Sequence, residues 1–184
     1  MKKQVTANSL LDFDIIFNQA RLDEGTRVAD LGCGASGHFV FPFSKAVGAK
    51  GKVYAVDILP DALKNIKHRF KQESLQNIKT VWSNLEIFNA CKIDSSSLDS
   101  VFLINTLYQS KKRVEIIKEA VRMLKKGAFM MIVDWGNISA PFGPSSKEKV
   151  LKQALKDGAS RLGLEFKSEF SAGQYHYGLI FEKI

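Results

Sequence analysis

Short apolar blocks recur along the chain, separated by longer blocks in which apolar residues have helical spacing. Most of the short blocks contain valine, isoleucine or aromatic residues, which is typical of strands. The five blocks predict strands over Arg27–Leu31, Lys52–Val56, Ile78–Trp82, Ser100–Ile104 and 128–135. The last of them, AFMMIVDW, is apolar almost throughout, as expected of a strand buried on both faces.

The longer blocks predict helices, and several begin or end at residues that cap helices. The predicted helices cover Leu10–Ala20, His38–Val47, Pro60–Gln72, Lys111–Lys125 and Ser145–Leu162. We expect Asn8 or Ser9 to cap the first and Ser110 the fourth, with Gly127 ending the fourth. Ser145 with Glu148 forms a capping-box pattern at the start of the last helix.

The end of the chain predicts a β-hairpin, because LEFKSEF and YHYGLIFEKI flank the turn SAGQ. Strands that alternate with helices predict a parallel sheet covered on both faces. We therefore expect an α/β fold with a doubly wound, mostly parallel seven-stranded sheet and a C-terminal antiparallel hairpin. No linker or repeat interrupts residues 1–184, which predicts a single domain, with residues 1–24 contributing a helix beside the ligand site.

The composition narrows the class of protein. The 184 residues are 45% hydrophobic and 25% charged, as in globular proteins, and no apolar run approaches the roughly 20 residues that span a bilayer. With two cysteines, no CxxC and three scattered histidines, no metal site is expected, and reduced thiols predict a cytoplasmic protein. The net charge of +8 makes RNA a possible partner, although dispersed lysines also suit solvated helix faces.

A glycine-rich loop carries the main chemical signal. GCGASG, residues 32–37, fits G-x-G-x-x-G between a predicted strand and a predicted helix, and Asp57 follows the second strand. This context fits either a dinucleotide or S-adenosylmethionine. Asp30 favours the second ligand, because a carboxylate repels a pyrophosphate and attracts an ammonium or sulfonium. Alternatively, Asp30 only caps backbone amides in a tight turn.

Two stretches resemble a known family. DLGCGASGHF is similar to the first motif of class I S-adenosylmethionine-dependent methyltransferases, and KVYAVDI is similar to the second. VRMLKKGAFMMIVDW resembles the ubiquinone-biosynthesis-like branch. The resemblance implies S-adenosylmethionine as cofactor, with Asp57 binding its ribose hydroxyls. The implied cofactor-binding residues are Asp30, Gly32, Cys33, Gly34, Gly37, Asp57, Ile58, Asn84, Leu85 and Asn105.

The sequence departs from the family pattern at two places. Asn84 stands where the adenine-binding residue is often an aspartate; it either binds the adenine amino group or shapes a turn. After the fourth strand the branch often has a histidine, whereas this chain reads NTLYQ from Asn105.

Catalytic candidates follow the strands, at the carboxyl edge where such sheets bind ligands. Tyr108 could orient an acceptor, act as a weak base or form an aromatic wall. Asp134 could accept a proton or cap the following loop. We expect the loop SAPFGPSS, residues 139–146, and the first helix to form the acceptor wall.

The sequence lacks the residues that several kinds of methyl acceptor require. No N-P-P-Y-type motif follows the fourth strand, the K-D-K-E tetrad lacks its aspartate there, and two cysteines are too few for arsenic methylation. Cys91 is badly placed to be the nucleophile of cytosine C5 methylation. We predict methyl transfer to a small-molecule or lipid-like acceptor. The alternatives are an RNA or protein acceptor, a non-catalytic S-adenosylmethionine-binding module and, less favoured, a dehydrogenase. The oligomeric state is not specified.

Overall fold

The structure is a computed structural model that describes residues 10–138, 140 and 142–184. Its helices are α1 (Phe13–Gln19), α2 (Val40–Val47), α3 (Pro60–Gln72), α4 (Arg113–Met123) and α5 (Lys152–Arg161). Its strands are β1 (Arg27–Leu31), β2 (Lys52–Asp57), β3 (Ile78–Trp82), β4 (Leu98–Ile104), β5 (Leu124–Trp135), β6 (Leu164–Ser171) and β7 (His176–Lys183). A single 3-10 turn over Leu107–Gln109 follows β4.

The strands form one seven-stranded sheet in the order β3-β2-β1-β4-β5-β7-β6. Pairs from β3 through β5 are parallel, and β7 is antiparallel to both β5 and β6. This confirms the predicted doubly wound sheet with its C-terminal hairpin. The strand order reverses between β1 and β4, and the carboxyl ends at such a switch point open into a crevice that binds ligands.

The sheet separates two apolar cores. One contains Leu31 and Leu103 from the sheet with Ile117 of α4 and Leu155 of α5. The other packs alternate strand residues such as Phe102 against α1, α2 and α3. Because both faces are covered, the central strands are almost entirely buried, which explains their continuous apolar runs.

The predicted start of the first helix was wrong. α1 begins at Phe13 rather than Leu10, because Asp12 Oδ1 accepts a hydrogen bond from the Ile15 amide at 3.1 Å and caps the helix there. The proposed caps Asn8 and Ser9 lie outside the described residues. The second helix begins at Val40, two residues later than predicted, because the turn after the glycine loop extends through Phe39.

The limits of α4 also differ from the prediction. Ser110 Oγ accepts from the Lys112 amide at 2.8 Å, and the helix begins at Arg113. It ends at Met123, and Gly127 lies within β5 instead of ending the helix. Gly127 has φ +75° where the register between β4 and β5 shifts, so glycine serves an irregular strand here.

The Ser145–Glu148 capping box forms but starts no long helix. The Ser145 amide and hydroxyl donate to Glu148 Oε2 at 2.7 and 2.8 Å, which closes a single turn. α5 begins only at Lys152. The pattern was therefore read correctly as a cap, and the helix over Ser145–Leu162 was predicted too long.

No helix connects β3 and β4 in this part of the described chain; a buried carboxylate supports the connection instead. Glu119 of α4 is fully buried and accepts from the amides of Asn89 at 2.7 Å and Cys91 at 3.0 Å. Arg122 donates to both of its oxygens at 2.9 Å. Burial alone would raise the pKa of Glu119, but these hydrogen bonds lower it below its usual value.

Candidate active site

The glycine loop lies against β2 and leaves space beside itself. The amides of Gly32 and Cys33 donate to Val56 O at 2.8 and 3.1 Å. Gly32 has φ +82°, and a Cβ there would come within 2.7 Å of Thr106 Oγ1. Gly34 also has a positive φ, +65°, but a Cβ there would meet no heavy atom within 4 Å. Gly34 therefore faces open space that a side chain would fill.

Asp57, at the end of β2, is fixed by backbone donors. Its Oδ2 accepts from the Gly34 amide at 2.8 Å and its Oδ1 from the Leu59 amide at 2.9 Å. The carboxylate thus ties the glycine loop to the start of α3. Its position is set by the fold, which leaves its remaining lone pairs for a ligand in the adjoining cavity.

Two adjoining cavities open at this edge of the sheet. The outer cavity, about 300 Å³, is lined by Gly34, Asp57, Ile58, Asn84 and Leu85 among others. Asn84 Oδ1 accepts from the Glu86 amide at 3.0 Å, so Asn84 shapes a turn as well as lining the cavity. The apolar side chains of Ile58 and Leu85 give this cavity walls suited to a planar ring.

The inner cavity, about 190 Å³, shares Gly32, Gly34 and Gln109 with the outer one. It is also lined by Asp30, Cys33 and Asn105, which the sequence had singled out. Predicted ligand residues from β1, β2 and the turn after β4 are therefore brought together around one continuous crevice.

Asp30 is the most unusual group in the inner cavity. It is 3% exposed, and no hydrogen bond from the described residues lowers the pKa of its carboxylate. Burial, and secondarily the charge of Asp57, raise the pKa of Asp30 to about 7. The alternative that Asp30 caps backbone amides has no such bond in its favour here. A cationic ligand group would supply the missing partner.

Asn105 is similarly short of partners. Its side-chain Nδ2 and Oδ1 are buried, and neither has a hydrogen-bond partner within the described part of the chain. Its backbone has φ +54°; its amide donates a hydrogen bond to Val133 O at 2.8 Å, and its carbonyl accepts one from Gln109 Nε2 at 2.7 Å. A non-glycine residue held in this conformation is common at ligand sites.

The two catalytic candidates occupy different places. Tyr108 is half-buried and lines the inner cavity, and burial raises its pKa. Asp134 is fully buried, accepts from the amides of Tyr108 at 3.1 Å and Trp135 at 2.8 Å, and borders neither cavity. Burial raises the pKa of Asp134 to about 6 despite these bonds. In this geometry Asp134 positions the turn that carries Tyr108.

His38 belongs to the inner cavity and was missed by sequence reasoning. Its ring makes edge contacts with Phe13 of α1 and Phe39, with centroids 5.6 and 5.1 Å away. Burial lowers the pKa of His38, which keeps the imidazole neutral near neutral pH. The available signal was its place directly after the third glycine. Phe13 also stacks on Phe39 at 5.4 Å, so α1 packs beside a residue that lines the inner cavity.

The loop after β5 is braced against the turn that carries Tyr108. Arg113 Nε donates to Leu107 O at 3.0 Å, and its Nη2 donates to Glu148 O at 2.6 Å. Gly143 packs so closely on Trp135 that a Cβ would lie 2.7 Å from the ring. Of the predicted wall SAPFGPSS, Ser139 and Pro141 lie outside the described residues.

The described residues include no group of three or more histidine, cysteine, aspartate or glutamate side chains arranged to hold a metal ion. Among the helices that the structure describes, none combines the length and apolarity that a membrane span requires.

Comparison with known proteins identifies the class. Residues 22–175 match the family described as "Methyltransferase domain", and the chain belongs to that family. The fold is similar to a SAM-dependent methyltransferase from Aquifex aeolicus, with a TM-score of 0.84 and 23% identity over 95% of this chain and 91% of that one. The resemblance to class I methyltransferases is thereby confirmed in family and fold.

Two curated relatives are more specific. The chain is 27% identical over 131 residues to demethylmenaquinone methyltransferase of Lactococcus lactis, which covers 71% of this chain and 50% of the relative. It is 28% identical over 141 residues to 2-phytyl-1,4-naphtoquinone methyltransferase of Nostoc punctiforme, covering 77% and 60%. The chain thus spans little more than half the length of the curated relatives it matches.

Proposed function

We propose that this chain transfers the methyl group of S-adenosylmethionine to a small, lipid-like acceptor with a quinol-type ring. The observation that carries the cofactor assignment is the buried Asp30 carboxylate, which lines the inner cavity together with Asn105, whose side-chain amide has no hydrogen-bond partner among the described residues. A buried acid without a protein donor is costly unless a ligand completes it.

The residues present fit this cofactor. Asp30 and Asn105 would hold its amino-acid end in the inner cavity, and Asp57 would bind its ribose hydroxyls. Gly34 leaves the space between them open, and Ile58, with its exposed side chain, would cover the base. When bound, S-adenosylmethionine supplies an electrophilic methyl group; the chain supplies alignment and exclusion of water.

The acceptor class is supported by the two relatives and by the cavity itself. Both relatives bear the names of enzymes that act on naphthoquinone-type lipids. In this chain, the side chains of His38, Phe39 and Tyr108 line the inner cavity. Aromatic walls of this kind suit a planar ring better than a flexible polar chain.

We propose that His38 takes up the proton that such an acceptor loses when its ring carbon or oxygen gains the methyl group. The imidazole lines the same cavity as Asp30, and burial keeps it neutral and able to accept a proton. Tyr108 lines the same cavity, and Asp134 holds Tyr108 in place by accepting a hydrogen bond from its backbone amide.

A labelled-methyl assay tests the proposal. Purified protein is incubated with labelled S-adenosylmethionine and, separately, a short-chain naphthoquinol, total RNA and total protein. We expect label in the naphthoquinol and none in the other fractions. Label in RNA or protein alone would show that the acceptor is RNA or protein and would refute the quinol-type acceptor. No label anywhere, with S-adenosylhomocysteine still bound in calorimetry, would favour a non-catalytic binding module.

His38 is tested within the same assay. His38→Gln should lower kcat for the naphthoquinol by about 100-fold, the lower range for a lost acid–base group, with little change in S-adenosylhomocysteine affinity. It should also remove the acidic limb of the pH–rate profile. An unchanged profile would exclude His38 as the proton acceptor.

A further inference from the structure

Three large apolar side chains are exposed between β5 and α5. Ile138 is 58%, Phe142 41% and Leu151 60% exposed. Together with Lys147 and Lys149 we refer to them as the loop face. Large apolar side chains that are exposed together on one surface are typical of an interaction site.

The contacts place these residues at one edge of the molecule. Lys149 Nζ donates to Ile138 O at 2.7 Å, which joins the two ends of the segment. Ile138 lines a cavity of about 450 Å³ with the residues on either side of Leu151, so Leu151 lies at its rim. Phe142 precedes the glycine that packs on Trp135 at the carboxyl end of β5.

The charge of the loop face is positive. Lys147 and Lys149 outnumber the single glutamate between them, within a chain of net charge +8, whereas the neighbouring Lys152 is ion-paired with Glu169. That glutamate, Glu148, is hydrogen-bonded to Ser145. Lys147 is exposed and has no ion pair among the described residues, and Lys149 bonds a carbonyl instead of a carboxylate. Exposed apolar side chains beside lysines without an ion pair among the described residues match the surface of an anionic bilayer. The boundary of the acyl chains accepts the apolar side chains, and the anionic headgroups attract the lysines.

The loop face is also coupled to the reaction site. Arg113 bonds the carbonyl of Glu148 in this loop and the carbonyl of Leu107 in the turn that carries Tyr108. A surface that holds the loop would therefore lie close to the inner cavity. An acceptor that resides in a bilayer would have only a short distance to travel.

We propose that the loop face docks on the surface of an anionic lipid bilayer and so brings the inner cavity to a lipid-like acceptor. The purpose of the docking rests on the proposed function, but the docking itself does not require catalysis.

Vesicle sedimentation tests the docking without an acceptor. We expect the protein to sediment with phosphatidylcholine vesicles containing about 30% phosphatidylglycerol, more weakly as salt rises from about 50 to 300 mM, and hardly at all with pure phosphatidylcholine. Lys147→Gln with Lys149→Gln should weaken partitioning about thirtyfold, at about fivefold per lysine. Replacing Ile138, Phe142 and Leu151 by serine should weaken it about tenfold or more.

The matched control replaces two apolar residues that are exposed elsewhere, Ile87→Ser with Ile184→Ser, and should sediment like the wild type. Unchanged S-adenosylhomocysteine affinity in calorimetry shows that each variant is folded. Absence of binding to anionic vesicles, or equal losses in the control, would overturn the docking. So would a preference for RNA over vesicles in competition.

The two proposals fail separately. Naphthoquinol methylation without vesicle binding would overturn the docking and leave the proposed function intact. Vesicle binding that needs the loop face, without naphthoquinol methylation, would overturn the acceptor class alone.

Discussion

Replacing Asp30 by asparagine should stabilise the protein while it weakens cofactor binding. The carboxylate is 3% exposed, and no donor from the described residues is bonded to it. Burial and the charge of Asp57 raise its pKa from 3.8 to about 7. The ionised form is therefore disfavoured in the folded chain, and a neutral side chain of the same shape removes that penalty.

The penalty depends on pH in a defined direction. Below the unfolded-state pKa, Asp30 is protonated in both states and has no effect. As the pH rises towards about 7, the unfolded state ionises freely and the folded state does not, so stability is lost. The linkage relation gives a cost of about 2 kcal/mol at pH 5 and about 4 kcal/mol at pH 8.

Urea unfolding of wild type and Asp30→Asn at pH 5 and pH 8 measures this difference. The variant should be more stable at both values, by less than the full cost because the buried amide also needs partners. The gain should be larger at pH 8. Exposed Asp23→Asn is the matched control and should shift neither curve. A gain equal at both pH values, or a loss at pH 8, would refute the reasoning.

Four further substitutions, in three experiments, test the site and the contacts that support it. Asp57→Ala should weaken S-adenosylhomocysteine binding by about 1.5–3 kcal/mol in calorimetry, the scale of hydrogen bonds to a charged group; unchanged affinity would remove Asp57 from the site. Gly34→Ala and Gly127→Ala carry the same backbone strain of about 1–2 kcal/mol, because both glycines have positive φ and free space around a Cβ. Only Gly34→Ala should also lower the affinity for S-adenosylhomocysteine, because its new methyl group would occupy the open space beside the loop. If the two variants bound S-adenosylhomocysteine equally well, that space would not belong to the cofactor site. Glu119→Ala should cost about 3–5 kcal/mol at pH 7, since it removes the carboxylate that pairs with Arg122 and accepts from the amides of Asn89 and Cys91. Because the pKa of Glu119 is lowered, that stability is lost as the pH falls through its folded pKa, and urea curves that differ equally at pH 7 and pH 3 would exclude the ion pair as the cause.

Much of the fold was accessible from the sequence because local patterns and the final architecture agree. β1 and β3 have the predicted limits, since each short apolar run is bounded by turn residues. The first turn of α3 begins at Pro60, as a proline at that position predicts. The candidate cofactor residues could be proposed from the sequence for the same reason, because glycines and acids at strand ends are visible without tertiary information.

The errors have a common physical origin in tertiary context. Whether Gly127 ends a helix or bends a strand depends on its pairing partner, which is distant in sequence. The hydrogen bond that Asp134 accepts from the Tyr108 amide was equally invisible in the sequence, because Tyr108 lies in the turn after another strand. His38 was overlooked because only folding brings α1 and the Tyr108 turn around it.

The last strand of the sheet has a consequence for solubility. β6 forms an open border, and its register against β7 shifts between Phe166 and Ser168. Glu165 and Lys167 are ion-paired to each other on it. A charged edge strand with an irregular register is a poor template for pairing with a strand of another molecule. The hairpin that completes the sheet therefore also guards the protein against fibrillar self-association at that side.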